Sequence, residues 1–439
     1  MLITILAGCG GETGYPAQRL ATDPGALDSV LNPIAERYVR AVLAVGVFDP
    51  NYVDAYYGPE EWRTALETQR PALERLGPDI DTLLAQLDTL DVVAAAELTR
   101  LRHRYLQRQL EAVRAYVGML QGDTLAFDDE SRALYDAVAP THPESHFRQM
   151  LDSLDAVLPG SGPIPARVER YRRDFVIPPA RVDTVFRAAI AEARRRTGAR
   201  LPLPEGEDFV LEYVTDRSWS GYNWYQGGGR SLIQINTDLP IYIERAVDLG
   251  AHEGYPGHHV YNALLEKSLV RDRGWLEYSV YPLYSPQSLI AEGSANYGID
   301  MAFPGEERLA FERDVLFPIA GLDTARAAEY ARVRELIERL GYAGNEAARR
   351  YLNREISADS AARWLTAYAL MEPARAQQRV RFFDTYRSYV INYNYGRDLV
   401  RQHVEARAGA DPARRWQVFA ELLSSPRLPS GLAAAEARP

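Results

Sequence analysis

The stretch Gly250-Ala-His-Glu-Gly-Tyr-Pro-Gly-His-His259 decides how this chain folds and what chemistry it carries. It contains His252, His258 and His259, three of the seven histidines in the sequence, and Glu253 directly follows the first. A His-Glu pair followed by another histidine is how zinc hydrolases present two imidazole ligands and a general base from one helix. The stretch therefore predicts a metal site.

The spacing of these histidines requires a distorted helix. On a straight α-helix, the rings of His252 and His258 would lie roughly 120° apart in azimuth and about 9 Å apart in height, and His259 would lie about 10 Å along the face of His252. Zn–N bonds of about 2.0–2.1 Å exclude a shared ion for either pair. A proline and a glycine lie between the histidines, and both favour a bulge or kink at residues 255–257. The alternative is a loop with incidental histidines.

A third ligand is expected downstream, because a catalytic zinc site has three protein ligands and one open position. Residues 288–297 predict a second helix with Glu292 in its first turns. A glutamate at this distance is typical of the third ligand in glutamate-type zinc peptidases, whereas an isolated helix glutamate usually faces water. Asn296, one turn later, is placed to hydrogen-bond a ligand. The predicted cofactor is one Zn²⁺ ion.

Together, H-E-x-x-P-G-H and the downstream E-G-x-A-x-Y resemble the DUF885 family, a group of metallopeptidases in the gluzincin-like clan. The matching residues are His252, Glu253, Pro256, Gly257, His258, Glu292, Gly293, Ala295 and Tyr297. The resemblance implies His252, His258 and Glu292 as metal ligands. It also implies Glu253 as general base, and it prefers His258 to His259, which stays the alternative ligand.

The resemblance also implies residues that bind the substrate. A late Tyr-x-x-Gly segment maps onto Tyr393-Asn-Tyr-Gly396, so Tyr393 is the first choice and Tyr395 the second for stabilising an oxyanion. The strand before the zinc helix is expected to hold an extended peptide by main-chain pairing at its free edge. The substrate-binding residues predicted on this strand are Ser231, Ile233, Gln234, Ile235 and Asn236. The alternative is an ordinary hairpin packed under the helices.

Two arginines of a later helix are candidates for binding an anionic group. Arg379 or Arg381 would suit the terminal carboxylate of a peptide, since a guanidinium binds carboxylates in bidentate fashion. Because both occur in a helical pattern rich in polar residues, a solvated face is the favoured interpretation.

The periodicity predicts a fold that is mainly α with a small β-sheet. The resemblance implies a two-lobed helical zinc-peptidase-like architecture around a central cleft. Residues 23–425 are expected to form a single catalytic unit. Its helical N-terminal lobe spans residues 23–200, and the lobe with a strand pair and the zinc helices spans residues 201–425. Residues 1–22 are interpreted as a signal remnant and tether, and residues 426–439 as a disordered tail.

Local signals within this plan predict strands at Asp208–Val214 and at residues 231–236. A turn-rich loop is expected at residues 220–229. The polar aromatic run at residues 391–396 predicts an interruption between two late helices.

The N-terminus predicts a location at the cell envelope. Leu6-Ala-Gly-Cys9 matches a bacterial lipobox, in which Cys9 carries the lipid, although the apolar stretch is short and lacks a basic start. The expected localisation is therefore lipid-anchored on the periplasmic side or the cell surface, with the membrane contacted only through Cys9. A cytoplasmic protein is the alternative. The net charge of −10 argues against nucleic acid as a partner, and no obligate protein partner is evident.

These observations favour a zinc-dependent peptidase that cleaves a peptide substrate with metal-activated water. Two alternatives remain open. One is a non-catalytic lipoprotein that binds a peptide or another ligand beside a vestigial metal site. The other is a metal hydrolase of non-peptide amides or esters.

Overall fold

The computed structural model describes residues 24–217 and 219–433 and is mainly helical with little β-structure, as predicted. Cys9 and the predicted lipid anchor lie outside the described residues. Within these residues, no helix combines the length and the apolar character needed to cross a lipid bilayer.

The helices of the N-terminal half follow the apolar periodicity of the sequence. In the first of them, Leu31, Ile34, Tyr38 and Val42 recur every three or four residues, and all four side chains are buried. The helices are α1 (Pro24–Gly46), α2 (Glu60–Thr68), α3 (Leu73–Asp88), α4 (Glu97–Leu120), α5 (Phe127–Tyr135), α6 (Glu144–Asp155), α7 (Ile164–Arg172) and α8 (Val182–Gly198).

Five short strands form two small sheets in the described chain. The strands are β1 (Val53–Tyr56), β2 (Asp208–Val214), β3 (Gly221–Gly227), β4 (Arg230–Asn236) and β5 (Val280–Pro282). β1 pairs antiparallel with β5. In the other sheet the order is β2-β4-β3, with β4 parallel to β2 and antiparallel to β3.

The predicted loop at residues 220–229 is wrong, because most of it is strand β3. Tyr222, Trp224 and Tyr225 carry aromatic side chains that favour a pleated strand. The hairpin turns at Gly227, Gly228 and Gly229, whose φ angles of 79°, 67° and 70° suit glycine. The glycine run therefore marks only the turn, and the aromatic residues before it belong to the sheet.

The C-terminal half is again helical. Its helices are α9 (Glu244–Leu249), α10 (His258–Leu265), α11 (Pro286–Ala302), α12 (Gly305–Phe311), α13 (Phe317–Ala320), α14 (Ala327–Glu338), α15 (Ala343–Leu352), α16 (Ala358–Tyr368), α17 (Pro373–Tyr386), α18 (Ile391–Ala408), α19 (Pro412–Leu423) and α20 (Pro429–Ala433). Wider π-type turns occupy Gly250–Gly254, Glu266–Arg271 and Glu312–Leu316. Tighter 3-10 turns occupy Arg173–Phe175, Pro179–Arg181, Leu276–Ser279, Thr324–Arg326 and Arg387–Val390.

Two local predictions fail in this half. The interruption predicted at residues 391–396 is absent, since α18 runs continuously from Ile391 to Ala408. Tertiary packing against α11 outweighs the weak helix propensity of its Tyr, Asn and Gly residues. The start of the predicted tail is also ordered, because α20 buries Leu432 against the core.

The two halves of the chain share one continuous set of buried apolar residues, from Leu31 to Leu432. A buried ion pair also joins them. Arg102 of α4 donates to both carboxylate oxygens of Glu277, at 2.6 and 3.0 Å, and Tyr105 donates to Gln287 of α11 at 2.6 Å. The N-terminal helices therefore support the segment that leads into α11.

Helices α11 and α18 approach each other so closely that glycine is required on both. A Cβ atom built on Gly293 would lie 2.4 Å from the carbonyl carbon and oxygen of Gly396. A Cβ atom on Gly396 would lie 2.8 Å from the carbonyl oxygen of Leu289. Because these neighbours are backbone atoms, neither contact is relieved by a side-chain rotation.

Alanine at this crossing is expected to destabilise the fold. Gly293→Ala and Gly396→Ala should each lower the free energy of unfolding by about 1–3 kcal/mol, since overpacking outweighs the helix propensity gained. The matched control is Gly344→Ala in α15, where an added Cβ meets nothing within 4 Å. That variant should be neutral or slightly more stable. Thermal and urea unfolding followed by circular dichroism provide the measurement, and wild-type stability of Gly293→Ala would contradict the crossing.

Candidate metal centre

The helix that carries His252 ends before His258, and this break brings the two imidazoles together. The chain leaves α9 through the π-type turn Gly250–Gly254 and starts a new helix, α10, at His258. The distortion predicted at residues 255–257 is therefore present as a complete interruption. The Nε2 atoms of His252 and His258 lie 3.2 Å apart, instead of the separation of about 9 Å between these positions on a straight helix.

Gly257 makes this break possible. Its backbone nitrogen donates to the carbonyl oxygen of Ala251 at 3.0 Å. A Cβ atom at this position would lie 1.8 Å from the carbonyl oxygen of His252. The chain therefore folds back onto the backbone of His252, which only a residue without a side chain permits.

Glu292 of α11 completes a group of three potential ligands. Its Oε2 lies 3.3 Å from His252 Nε2, and its Oε1 lies 3.8 Å from His258 Nε2. One ligand atom from each residue falls within 4.8 Å of the others. Ligand atoms about 2.1 Å from a tetrahedral Zn²⁺ ion lie about 3.4 Å from each other, so the spacing of this group is close to that of a zinc site.

The charges of this group also suit a cation. Glu292 Oε2 is buried and has no well-aligned hydrogen-bond partner among the described residues. A buried carboxylate oxygen normally has such a partner, so this one is free to bind an ion. Burial, together with the neighbouring His252, lowers the pKa of His258 to about 4, so its imidazole is neutral and offers a lone pair.

Tyr389 holds the glutamate in place. It lies in the turn Arg387–Val390 before α18, and its hydroxyl donates to Glu292 Oε1 at 2.7 Å. Hydrogen bonds to a ligating carboxylate fix its orientation toward the metal. The sequence did not single out this residue. The only available signal was its position one helical turn before Tyr393, among 27 tyrosines.

Glu253 lies at the wall of the cavity beside strand β3. A Cβ atom on Gly221 would lie 3.0 Å from Glu253 Oε1, so the glycine leaves room for this carboxylate. The backbone carbonyl of Glu253 accepts a hydrogen bond from Asn223 Nδ2 at 2.7 Å. Burial raises the pKa of Glu253 to about 7, with Glu292 adding to the shift and His252 opposing it.

Of the other predicted site residues on α11 and α18, some line the cavity and one does not. Tyr393 lines the cavity that contains His252 and Glu253, whereas Tyr395 is not among the residues that line it. Tyr395 follows Tyr393 by two residues and therefore lies about 200° further around α18, which leaves Tyr393 as the candidate at the cavity. Asn296 also lines the cavity, but its amide donates to the carbonyl oxygen of Tyr393 at 3.2 Å. The predicted hydrogen bond to a metal ligand is thus replaced by one between α11 and α18.

His259, the alternative ligand, is excluded from the site by its own hydrogen bonds. Its Nδ1 lies 2.8 Å from Ser231 Oγ, and its Nε2 lies 2.9 Å from Glu207 Oε2. Both ring nitrogens are occupied, and the imidazole has no exposed surface. Glu207 also accepts hydrogen bonds from Tyr255 and Arg194, at 2.6 Å each, so this buried network anchors α10 to the sheet and lies outside the cavity lining.

The predicted substrate edge is also wrong. Strand β4, which carries Ser231, Ile233, Gln234, Ile235 and Asn236, is the central strand and is paired on both sides. Its free edge was inferred from a strand pair, and the missed strand β3 covers that edge. Gly221, Tyr222 and Asn223 of β3 line the cavity instead.

The cavity around these residues has a volume of about 310 Å³. Asp54 lines it and accepts a hydrogen bond from Tyr222, and burial raises the pKa of Asp54 to about 7. Arg379 also lines it, so the favoured interpretation of this arginine as part of a solvated face was wrong. Asp54 was not among the predicted site residues, and Arg379 was considered only as the less favoured candidate for binding a carboxylate.

Comparisons with known proteins leave the function open. No protein-family model and no curated protein matches the chain. The chain is similar to a solved structure described as a "putative lipoprotein from Colwellia psychrerythraea", with 13% identity, a TM-score of 0.49 and coverage of 95% of this chain and 77% of that one. A structure described as that of "CHT" has 13% identity, a TM-score of 0.42 and coverage of 91% and 90%. The function must therefore be inferred from the residues and distances of the site.

Metal content tests the ligand set. Wild-type protein is expected to hold about one zinc ion per chain. His252→Ala, His258→Ala and Glu292→Gln should each lose most of it, because each removes one of three ligands. His259→Gln should keep zinc yet unfold at a lower temperature, since it disturbs a buried hydrogen-bond pair worth about 1–3 kcal/mol. Mass spectrometry of the metal after gel filtration is the measurement, and zinc loss confined to a folded His259→Gln protein would contradict the assignment.

The role of Tyr389 has its own test. Tyr389→Phe should lower zinc affinity by about 10–100-fold, because Glu292 loses the hydrogen bond that orients it. Competition with a chromogenic chelator measures this change. Tyr342→Phe is the matched control, since it also removes a hydroxyl bound to a carboxylate, that of Asp398 at 2.6 Å, outside the cavity lining. Equal zinc affinity of the two variants would show that Tyr389 does not support the metal.

Proposed function

We propose that this protein is a zinc-dependent hydrolase that cleaves peptide bonds with water. The single observation that carries the proposal is the convergence of His252, His258 and Glu292 at ligand spacing, with Glu253 on the wall of the same cavity. Two histidines and one carboxylate form a donor set typical of catalytic zinc, with a fourth position open for water or substrate.

His252, His258 and Glu292 would hold the ion. Bound zinc supplies Lewis acidity, which polarises a carbonyl group and lowers the pKa of water. Glu253 accepts a proton from the attacking water as its oxygen bonds to the carbonyl carbon. It then donates this proton to the leaving nitrogen as the C–N bond breaks.

Two further elements of the cavity wall serve the substrate in this proposal. The Tyr393 hydroxyl is the candidate donor to the oxyanion that forms on the carbonyl oxygen. Strand β3 replaces β4 as the candidate for main-chain pairing, because Gly221 and Asn223 lie beside Glu253 at the end of the sheet.

The two-lobed architecture around a cleft belongs to the same proposal. Among the described residues, the predicted lobe 23–200 contributes Asp54 to the cavity lining. The other lining residues come from the predicted lobe 201–425. The N-terminal helices would therefore close one side of the site and support it.

The role of the general base is tested with Glu253→Gln. This variant should bind zinc as the wild type does, because the substitution changes none of the three ligands, and its rate of peptide cleavage should fall by about 10²–10⁴-fold. A mass-spectrometric assay on a peptide library measures cleavage, and metal content and melting temperature are recorded in parallel.

The outcomes separate the candidate functions. Zinc-loaded wild type that cleaves only non-peptide esters or amides would favour the broader hydrolase class. Zinc-loaded protein that cleaves none of these substrates would leave the binding-protein alternative. Unchanged cleavage by Glu253→Gln would refute the proposed base.

A further inference from the structure

Arg379 is a partly buried cation that lines the cavity of the candidate metal group and has no ion-pair partner among the described residues. It lies on α17, and its Nε atom is inaccessible to solvent and has no hydrogen-bond partner in the described chain. Its guanidinium carbon lies 4.2 Å from the ring centroid of Phe382, 5.7 Å from that of Phe383 and 5.6 Å from that of Tyr393. Aromatic rings therefore surround this cation where a carboxylate would be expected.

The arginines that are fully buried in the described part of the chain are paired. Arg102 contacts Glu277 at 2.6 Å, and Arg308 contacts Asp248 at 2.6 Å and Glu312 at 2.7 Å. Such pairing is the usual way to offset the loss of hydration of a buried charge. The aromatic faces around Arg379 offset this cost only in part. Its charge and its free donors therefore remain available to a ligand.

The residues around Arg379 favour an anionic ligand over a cationic one. Arg245 lines the same cavity and contacts Asp248 at 3.6 Å, and the neighbouring cavity adds Arg375, one turn before Arg379 on α17. Asp248 is also paired with Arg308 at 2.6 Å, and Glu292 belongs to the candidate metal group. A carboxylate beside Arg379 would thus meet positive charge from more than one side.

We infer that Arg379 binds a free carboxylate of the substrate next to the scissile bond, so that the enzyme removes single residues from the carboxyl terminus of peptides or N-acyl amino acids. This inference rests on the proposed function and names its substrate class. A guanidinium presents two parallel N–H donors that match a carboxylate, and the small cavity of about 310 Å³ holds both the metal group and Arg379. The carboxylate and the scissile bond therefore lie within one short substrate.

The reaction balances with water alone. The water oxygen bonds to the carbonyl carbon, the C–N bond breaks, and the proton held by Glu253 passes to the nitrogen. The products are a shortened acyl carboxylate and a free amino acid. The carboxylate of that amino acid is the group held by Arg379 until release.

Hydrolysis of two matched libraries tests the inference. N-acetylated tripeptides that end in a free carboxylate are compared with the same peptides ending in a carboxamide. Wild type should cleave the acid library about 10–100-fold faster, as expected for a charge-assisted pair, and should release single residues. Arg379→Met should lose this preference, and Arg379→Lys should keep part of it, because lysine retains charge without the planar fork.

Arg381→Ala is the matched control. Arg381 is on the same helix two residues later and is exposed, so its removal should leave the preference unchanged. Equal cleavage of both libraries by wild type, or a preference that survives in folded, zinc-loaded Arg379→Met, would overturn the inference. Internal cleavage of the amidated library at full rate would overturn it as well.

A binding measurement separates this inference from the proposed function. Calorimetry on zinc-loaded protein compares 3-phenylpropionate with 3-phenylpropanol, which differ in the carboxylate and are not hydrolysed. The carboxylate should bind about 10-fold tighter or more, and Arg379→Met should abolish the difference while Arg381→Ala retains it. A carboxylate that bound only to zinc would keep its advantage in Arg379→Met and would overturn the inference. If neither library is cleaved, the proposed function fails and this binding result alone decides the role of Arg379.

Discussion

The contact between Gly257 and the carbonyl of His252 is the constraint on which the site depends. Six positions separate the two histidines, and a continuous helix would keep them too far apart to share an ion. Because Gly257 has no side chain, the backbone folds back onto itself, and a second helix starts with His258. The longer spacing is therefore an alternative route to a paired-imidazole site. The same turn directs His259 into the core, where its bonds to Ser231 and Glu207 hold the start of that helix.

A second close contact positions Glu292, the remaining residue of the candidate metal group. Gly293 follows Glu292 directly, and its contact with Gly396 brings α18 against α11 at the level of the site. Tyr389 and Tyr393 precede Gly396 by about two turns and one turn, so this crossing brings one hydroxyl to Glu292 and the other residue to the cavity. Stability and site geometry are thus coupled, since a wider crossing would move Glu292 away from the tyrosine that orients it.

Sequence reasoning reached the local features and missed those that depend on neighbours. Periodicity located most helices, and the motif named the residues that come together at ligand spacing, because both signals lie within short segments. Whether β4 is an edge strand or the central strand depends on β3. The segment that forms β3 was predicted to be a turn-rich loop because three glycines follow its aromatic residues. The continuity of α18 depends on α11, which packs against its weakest helix formers. The pairing of His259 with Glu207 joins positions 52 apart, and no local pattern reveals it.

The surroundings of Arg379 explain how this partly buried arginine can stay without an ion-pair partner. Isolated burial of a cation is costly, and the protein offsets it elsewhere with carboxylates, as at Arg102 and Arg308. At Arg379, aromatic rings replace the carboxylate among the described residues. These rings attract the cation only weakly, so they hold the guanidinium in position without occupying its hydrogen-bond donors. A carboxylate partner within the chain would compete with an anionic ligand for the guanidinium. The aromatic rings instead hold the guanidinium in position and leave it available to such a ligand. The aromatic surroundings of this arginine are therefore the feature that makes it suited to recognition.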